Sequence, residues 1–342
     1  MNLSIGSQVV HEAKLKLSDL TVVLALKDRP IETKSFMKHS IIPGVNYLIL
    51  DGSSDDQNEN IVRGNQCASI EYRRFAPDLN IDKYVRKMAE GIKSVHTPFV
   101  VMADNDDVLL EGGLVAAVNA LRANSDSVFA GGDIVGYLRS THQPNRVSWP
   151  KTNVNASHLD GMQGLAAINQ SRLDWRHIWY SVFRTDVLVW CWDEIMNSPV
   201  RDPYLIEFLI CDLPFCKGRY SYTQVPQYMR LQNQTDRAIA TLGLRSVDNG
   251  RQPKSWWEES NLADELLATH LAVDSSELNS AFIRAAAVAG LRGSSFRPLS
   301  LYRDLTVGAA DRIRIISLKS AIRITASGLY RAIPLRDRSG RS

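Results

Sequence analysis

The chain has 342 residues, of which 44% are hydrophobic and 23% charged, and its formal net charge is +3. This composition is typical of a soluble globular protein, and the length suggests roughly two domains. No apolar run approaches the roughly 18 residues that cross a membrane, and the start lacks the basic head and apolar core of a secretion signal. We therefore expect a cytoplasmic protein without a transmembrane segment.

The basic excess lies at the C-terminus. Residues 311–342 contain eight Arg/Lys and two Asp, a net +6, so the preceding 310 residues carry about −3. Arginines alternate there with isoleucine and leucine, a composition suited to peripheral contact with an anionic membrane at its inner face. A solvated basic terminus is the alternative. No basic–aromatic module is present, so we expect no nucleic-acid partner.

The four cysteines are scattered, and no two have the spacing of a zinc or redox motif. We therefore expect buried thiols without disulfide bonds. They are Cys67, Cys191, Cys211 and Cys216.

Short apolar strands alternate with amphipathic segments from about residue 19 to 137. "LTVVLAL" predicts the first strand and is followed by a helix from Ile31. "NYLILDGSS", "SIEYRRF" and "PFVVM" predict the next three strands. This alternation predicts an α/β protein with a mostly parallel sheet and helices on both faces.

The segment "DKYVRKMAEGIKSV" predicts an amphipathic helix before the fourth strand. Its apolar positions recur at helical spacing. Its polar face is expected to carry Lys83, Arg86, Lys87 and Glu90.

A run of acids directly follows the fourth strand. "MADNDD" places Asp104, Asn105, Asp106 and Asp107 at its carboxyl end, the edge where α/β sheets bind ligands. Carboxylates so close together favour a divalent cation such as Mg²⁺ or Mn²⁺. The alternative is a polar turn in which Asp107 or a neighbour caps a helix starting near Glu111. The strands ending at Leu26 and Leu50 are also followed by acids, so a polar cleft is expected at this edge.

The order "TVVLALKDRP", "LILDGSSDD", "VRKMAEGI" and "PFVVMADNDDVL" resembles GT-A fold glycosyltransferases, in particular the family 2-like bacterial enzymes. Asp104, Asn105 and Asp106 supply the DXD motif. The helix "VRKMAEGI" keeps a basic residue and the glycine but lacks the usual asparagine. The resemblance covers roughly residues 20–240.

The resemblance implies donor-binding and metal-binding residues. Asp104 and Asp106 match the positions that hold a metal bridging the diphosphate, and Asp104 also faces the ribose or sugar. The remaining donor-binding candidates are in the turn after the first strand, in the loop after the second strand, on the helix before the fourth strand and in the segment "VPQYMRLQNQ". They are Asp28, Arg29, Asp51, Ser53, Arg86 and Arg230. A solvated helix face is the alternative for Arg86, and Gln232 and Asn233 are further candidates beside Arg230.

An inverting transferase needs a general base, and the apolar helix predicted from Tyr204 to Leu213 carries two acids. The family's base precedes a glycine by about eleven residues, and counting back from Gly218 reaches Glu207. Ile206 replaces the acid that usually precedes the base. Asp212 is the reserve candidate, and its alternative is a surface acid paired with Lys217 or Arg219.

The sequence divides into a leader (1–18), a GT-A domain (19–245) and a helical extension with a basic tail (246–342). Within the domain, residues 19–137 form the nucleotide-binding half and 138–245 the acceptor half. The acceptor half contains a polar and aromatic cluster that suits sugar binding or forms core. Its members are Trp175, Arg176, His177, Trp179 and Tyr180.

The resemblance predicts a metal-dependent, inverting transfer from a nucleotide-sugar donor to a glycan or lipid-linked glycan, in bacterial surface polysaccharide synthesis. A sugar-phosphate nucleotidyltransferase is one alternative, although "LALKDRP" lacks its glycine-rich phosphate loop. A non-catalytic nucleotide- or glycan-binding module of the same fold is the other.

Overall fold

The structure is a computed structural model that describes residues 17–65, 69–139, 147–148, 153–154, 156–171, 178–231 and 254–278. The basic tail (311–342), as well as Cys67, Trp175, Arg176, His177, Gln232 and Asn233, lies outside these residues. Among the described helices, none combines the length and hydrophobicity needed to cross a membrane.

Ten strands of the described residues form one mixed sheet, and eight of them lie in the order β3-β2-β1-β4-β9-β6-β10-β5, with β7 and β8 pairing with β6. The strands are β1 (Leu20–Leu26), β2 (Asn46–Asp51), β3 (Ile70–Arg74), β4 (Phe99–Ala103), β5 (Val108–Leu109), β6 (Ser127–Arg139), β7 (Val147–Ser148), β8 (Asn153–Val154), β9 (Val182–Arg184) and β10 (Arg219–Leu231).

Strands β3, β2, β1 and β4 are parallel, as the strand–helix alternation predicts. Strand β9 pairs antiparallel with β4 and β6, β10 runs parallel to β6, and β5 pairs antiparallel with β10. The continuous apolar sequence of β4 is explained by its central place, since all five of its residues are buried.

Eight α-helices of the described residues have defined bounds. They are α1 (Pro30–His39), α2 (Gln57–Arg63), α3 (Ile81–Lys93), α4 (Glu111–Ala123), α5 (Gly164–Ser171), α6 (Thr185–Asn197), α7 (Pro203–Asp212) and α8 (Lys254–Leu271), with 3-10 helices at Ser157–Leu159 and Leu213–Cys216. Helix α1 packs with α2, and α3 packs with α6. At Gly91 of α3 an added Cβ would lie 2.2 Å from the Leu50 side chain, so only glycine lets this helix approach β2 so closely.

The C-terminal extension contributes α8, which packs against α7 and the 3-10 helix that follows it. The Glu259 carboxylate accepts hydrogen bonds from the backbone N–H groups of Arg201 (2.8 Å) and Asp202 (2.7 Å). The extension therefore holds the segment that leads into α7, while the Asp202 carboxylate caps the helix by accepting from the N–H groups of Tyr204 and Leu205.

The three described cysteines, Cys191, Cys211 and Cys216, are free thiols. Burial raises the pKa of each one. The expectation of unpaired thiols is thus confirmed for these three.

Candidate functional site

Three central strands end at the same edge of the sheet. In the register, Leu26 of β1 pairs with Asp51 of β2, and Leu24 of β1 pairs with Ala103 of β4. The polar residues that follow these strands therefore meet at this edge, as the sequence predicts. Two groups of side chains occupy it.

The first group, the serine–aspartate cluster, consists of Asp28, Asp51 and Ser53. The Ser53 hydroxyl accepts hydrogen bonds from the Asp28 backbone N–H (2.7 Å) and from the Asn58 side-chain amide (2.8 Å). That amide also donates to the Asp28 carbonyl at 2.8 Å. The loop after β1 is thus fixed to the loop after β2.

Asp51 is fully buried in this cluster. Its carboxylate accepts from the Ser53 N–H (2.8 Å), the Tyr72 hydroxyl (2.7 Å) and the Arg74 guanidinium (3.2 Å). Burial, and then the bond to Asp51, raises the pKa of Tyr72. Tyr72 therefore stays a hydrogen-bond donor to the carboxylate.

Asp28 is the more accessible acid of the cluster. Its carboxylate accepts from the backbone N–H (3.0 Å) and the hydroxyl (2.8 Å) of Ser54. Burial opposes ionisation of Asp28, but the bonds from Ser54, helped by the charges of Lys27 and Arg74, outweigh it and lower the pKa of Asp28.

A buried ion pair lies beneath the serine–aspartate cluster. The Lys87 ammonium group donates to the Asp78 carboxylate and to the Leu26 carbonyl (3.0 Å), and both side chains are at most 1% exposed. The expectation that Lys87 lies on the polar face of its helix is wrong. Burial lowers the pKa of Lys87 and raises that of Asp78, while their mutual attraction acts in the opposite direction.

One feature of the sequence indicates that Lys87 faces the sheet. Gly91 lies one helical turn later on the same face of α3 and contacts the sheet at Leu50. Asp78 gave no comparable signal, because it lies in a loop and its partner comes from the next helix.

The second group, the acidic cluster, consists of Asp104, Asp106 and Asp107. One carboxylate oxygen of each lies within 4.8 Å of the others. Each pair of charges at such a distance repels by about 1 kcal/mol in water and by about 4 kcal/mol near a protein surface. Three hard oxygen ligands at this spacing fit Mg²⁺ or Mn²⁺.

Each carboxylate of the acidic cluster has a side-chain donor from another part of the chain. The Tyr180 hydroxyl donates to Asp104 at 2.7 Å, the Arg29 guanidinium donates to Asp106 at 2.7 Å, and the Tyr228 hydroxyl donates to Asp107. Asp107 does not cap the helix that starts at Glu111, because Leu110 is its N-cap residue and makes no side-chain cap bond.

The two tyrosines stack on each other. The ring centroids of Tyr180 and Tyr228 are 3.7 Å apart with an interplanar angle of 16°. Strand β10 carries Tyr228, and Tyr180 lies two residues before the start of β9. The sequence did not predict that either tyrosine contacts the acids, because each is distant in the sequence from its acidic partner.

Arg29 reaches the acidic cluster from an unusual backbone conformation. Asp28 and Arg29 both have left-handed φ values, 53° and 61°. Such conformations are uncommon for residues other than glycine and each costs about 1–2 kcal/mol. Burial disfavours the charge of Arg29, but its bond to Asp106 outweighs this and raises its pKa.

The candidate base Glu207 lies on α7 and is half-buried. Burial raises the pKa of Tyr84, and the charges of Asp104, Glu207 and Asp78 raise it further. Glu207 and the acidic cluster thus act electrostatically on the same phenol of α3.

The reserve candidate Asp212 is fully buried at the end of α7. Its carboxylate accepts a hydrogen bond from the Ser171 hydroxyl at 2.8 Å. The alternative of a surface acid is therefore wrong, since this carboxylate points into the packing between α5 and α7.

The remaining candidates are Arg86, Arg230 and the aromatic residues Trp179 and Tyr180. Arg86 is exposed on α3. The backbone of Arg230 pairs with Gly136 between β10 and β6. Trp179 and Tyr180 are 9% and 5% exposed, as core residues would be.

The mixed sheet with its accompanying helices has the fold of the GT-A glycosyltransferases. The structure of S. aureus TarS 1–349 in complex with UDP-GlcNAc has a TM-score of 0.53 at 12% sequence identity, covering 78% of this chain and 70% of that chain. The same TarS fragment in complex with UDP has a TM-score of 0.46 at 14% identity, covering 86% and 93%.

No protein-family model matches the sequence, and no curated protein matches it. The first TarS comparison shows the fold.

Proposed function

We propose that the protein is a metal-dependent glycosyltransferase that moves a sugar from a nucleotide-sugar donor to a glycan acceptor. The observation that carries this proposal is the acidic cluster, three carboxylates within 4.8 Å at the carboxyl edge of a GT-A sheet. The neighbouring serine–aspartate cluster supports it, because its accessible acid, Asp28, offers a fixed hydrogen-bond acceptor for a nucleoside beside the acids.

In this proposal, Asp28, Asp51 and Ser53 hold the base and ribose, with Arg29 and Arg230 beside the phosphates. Arg86, which is exposed, remains the weakest donor-binding assignment. Asp104 and Asp106 hold the metal. A bound divalent cation would supply charge stabilisation for the departing diphosphate.

Glu207 is the proposed general base. It takes the proton from an acceptor hydroxyl while that oxygen forms a bond to the anomeric carbon, and the bond from this carbon to the diphosphate breaks. Attack from the face opposite the leaving group inverts the anomeric centre. The burial of the two acids of α7 supports this assignment, because Glu207 is half-buried, whereas Asp212 is fully buried and bonded to Ser171.

The acceptor class is proposed from the resemblance to enzymes of bacterial surface polysaccharide synthesis. A lipid-linked glycan would bring its acceptor hydroxyl to the protein at a membrane surface. Residues 311–342, with eight Arg/Lys, are the segment proposed to contact the inner face of that membrane.

The test is a calorimetric and thermal-shift titration with UDP, GDP, dTDP, ADP and CMP, each with and without Mn²⁺. The uridine nucleotide comes first, because TarS has been crystallised with UDP-GlcNAc and with UDP. We expect one diphosphate to bind tightly only with the metal, and Asp106→Ala to abolish this binding. Asp193→Ala, which removes a surface carboxylate paired with Lys93 at 2.9 Å, is the matched control and should bind normally.

Absence of metal-linked binding to any nucleotide would overturn the metal-dependent transferase. Transfer itself is tested with Glu207→Gln, which we expect to lower the rate by roughly 10²- to 10⁴-fold while donor binding is kept. Glu194→Gln, on the neighbouring helix α6, is its control. Unchanged transfer by Glu207→Gln would remove Glu207 from the mechanism.

A further inference from the structure

The acidic cluster already contains a cation from the protein itself, the guanidinium of Arg29. This guanidinium lies 2.7 Å from Asp106, and both side chains are largely shielded from water, at 26% and 20% exposure. The charges of Asp104 and Glu32 also act on Arg29. A metal ion that uses Asp106 must therefore compete with this ion pair.

The backbone of Arg29 is fixed on several sides. Its carbonyl accepts bonds from the Thr33 N–H (3.1 Å) and hydroxyl (3.2 Å) and from the Asn105 amide (3.4 Å). Asn105 belongs to the acid run itself and also donates to the Thr33 hydroxyl at 3.0 Å. The main chain is thus held against the acid run, and the guanidinium is the part of Arg29 that can exchange partners.

The charges at this site indicate which new partner the Arg29 guanidinium would take. The acidic cluster carries three negative charges, and Arg29 neutralises one of them. A divalent cation offsets two of the three charges and, where it coordinates Asp106, competes with Arg29 for that carboxylate, whereas a diphosphate beside the cation brings new anionic oxygens. Arginine binds such oxygens in the planar, two-pronged geometry that it uses for carboxylates.

We propose that Arg29 is a displaceable counter-ion, which neutralises Asp106 in the free protein and moves to the diphosphate when the metal and the donor bind together. This inference rests on the proposed function and deepens it. Its consequence is that metal and diphosphate bind cooperatively, since the metal competes with Arg29 for Asp106 and the diphosphate gives the displaced guanidinium new acceptors.

The test measures Mn²⁺ binding to the full chain by electron paramagnetic resonance, first with Mn²⁺ alone and then with UDP. In Arg29→Met, we expect Mn²⁺ alone to bind roughly three- to tenfold more tightly, because the competing cation is gone. At saturating Mn²⁺, UDP should bind this variant roughly tenfold more weakly, because the phosphate partner is gone.

Two further variants keep the result interpretable. Lys27→Met removes a positive charge from the same turn that acts on Asp28 and Asp78, and it should leave Mn²⁺ binding unchanged. Arg29→Asn places a residue that tolerates left-handed φ at the same position and should repeat the Arg29→Met result even if methionine perturbs the fold.

If Arg29 exchanges Asp106 for the diphosphate, the Arg29 variants bind Mn²⁺ more tightly and UDP more weakly than the native protein. A purely structural role would weaken both Mn²⁺ and UDP binding in the Arg29 variants, and that result would overturn the inference while leaving the transferase intact. Unchanged Mn²⁺ binding in the Arg29 variants would also overturn it. If neither the native chain nor any variant binds Mn²⁺, with or without UDP, the metal-dependent function fails as well.

Discussion

The serine–aspartate cluster and the acidic cluster lie on the same edge of the sheet but are stabilised differently. The carboxylates of the first accept hydrogen bonds from residues between positions 53 and 74. Those of the second depend on Arg29, Tyr180 and Tyr228, which lie far away in the sequence. The comparison shows that the first cluster is built locally and has fixed geometry, whereas the second retains an excess of negative charge suited to a cation.

The largest expected effect comes from the buried ion pair beneath the serine–aspartate cluster. Lys87→Met leaves the Asp78 carboxylate buried without its cation, so we expect the free energy of unfolding to fall by about 3–5 kcal/mol. Urea denaturation measures this change. Lys93→Met, which breaks the exposed pair with Asp193, is the control and should change it by about 0–1 kcal/mol. A loss as small as that of the control would mean that the pair contributes little to this cluster's rigidity.

The next effect should separate the roles of the two clusters. Asp51→Asn removes a charged acceptor, so we expect nucleoside diphosphate affinity at saturating Mn²⁺ to fall by about tenfold or more. Binding of Mn²⁺ alone should not change, because the acidic cluster is intact. Asp55→Asn, an exposed acid of the same loop that bonds Gln57, is the control. If Asp51→Asn weakened Mn²⁺ binding equally, the two clusters would form one site.

A smaller effect is expected from the partner of Asp104. Tyr180→Phe keeps the ring that stacks on Tyr228 but loses the hydroxyl that orients the carboxylate. Partners that orient metal ligands contribute about 10- to 100-fold to affinity, and we expect Mn²⁺ binding to weaken at the low end of this range. Tyr222→Phe, which loses a bond to Asp133 instead, should bind Mn²⁺ normally. Equal Mn²⁺ affinities of the native protein and Tyr180→Phe would show that the Tyr180 hydroxyl does not orient Asp104 for the metal.

The smallest effect concerns pH. The pKa of Asp28 is lowered in the folded protein, so ionised Asp28 adds stability above its ordinary pKa of 3.8, and this stability is lost as the pH falls through the lower folded value. Ser54→Ala removes the two bonds that lower this pKa. We therefore expect Ser54→Ala to be less stable than the native protein at pH 6, and the difference to shrink at pH 3. In an Asp28→Asn background, the pH dependence of the Ser54→Ala effect should vanish.

The sequence allowed the parallel strands and the edge where their acids meet to be predicted, because continuous apolar runs ending in Asp51 and Asp104 carry a local signal. It did not reveal Tyr180 or Tyr228 as partners of the acids, since β9 and β10 join the sheet by contacts between distant segments. The sequence placed Lys87 on the exposed polar face of its helix, and this was wrong because its ion pair with Asp78 allows the charged side chain to be buried. The catalytic role of Glu207 and the domain boundaries remain predictions.

The bonds from Glu259 to the segment before α7 have a consequence for the order of events during synthesis. Glu259 follows Arg201 by 58 residues, so α7 leaves the ribosome well before the carboxylate that accepts from the N–H groups of Arg201 and Asp202. The Asp202 carboxylate, which accepts from the N–H groups of Tyr204 and Leu205, directly precedes the helix and is made with it. Helix α7 therefore carries its own cap from the start of its synthesis, whereas the segment before it gains its last hydrogen bonds only once α8 has been made.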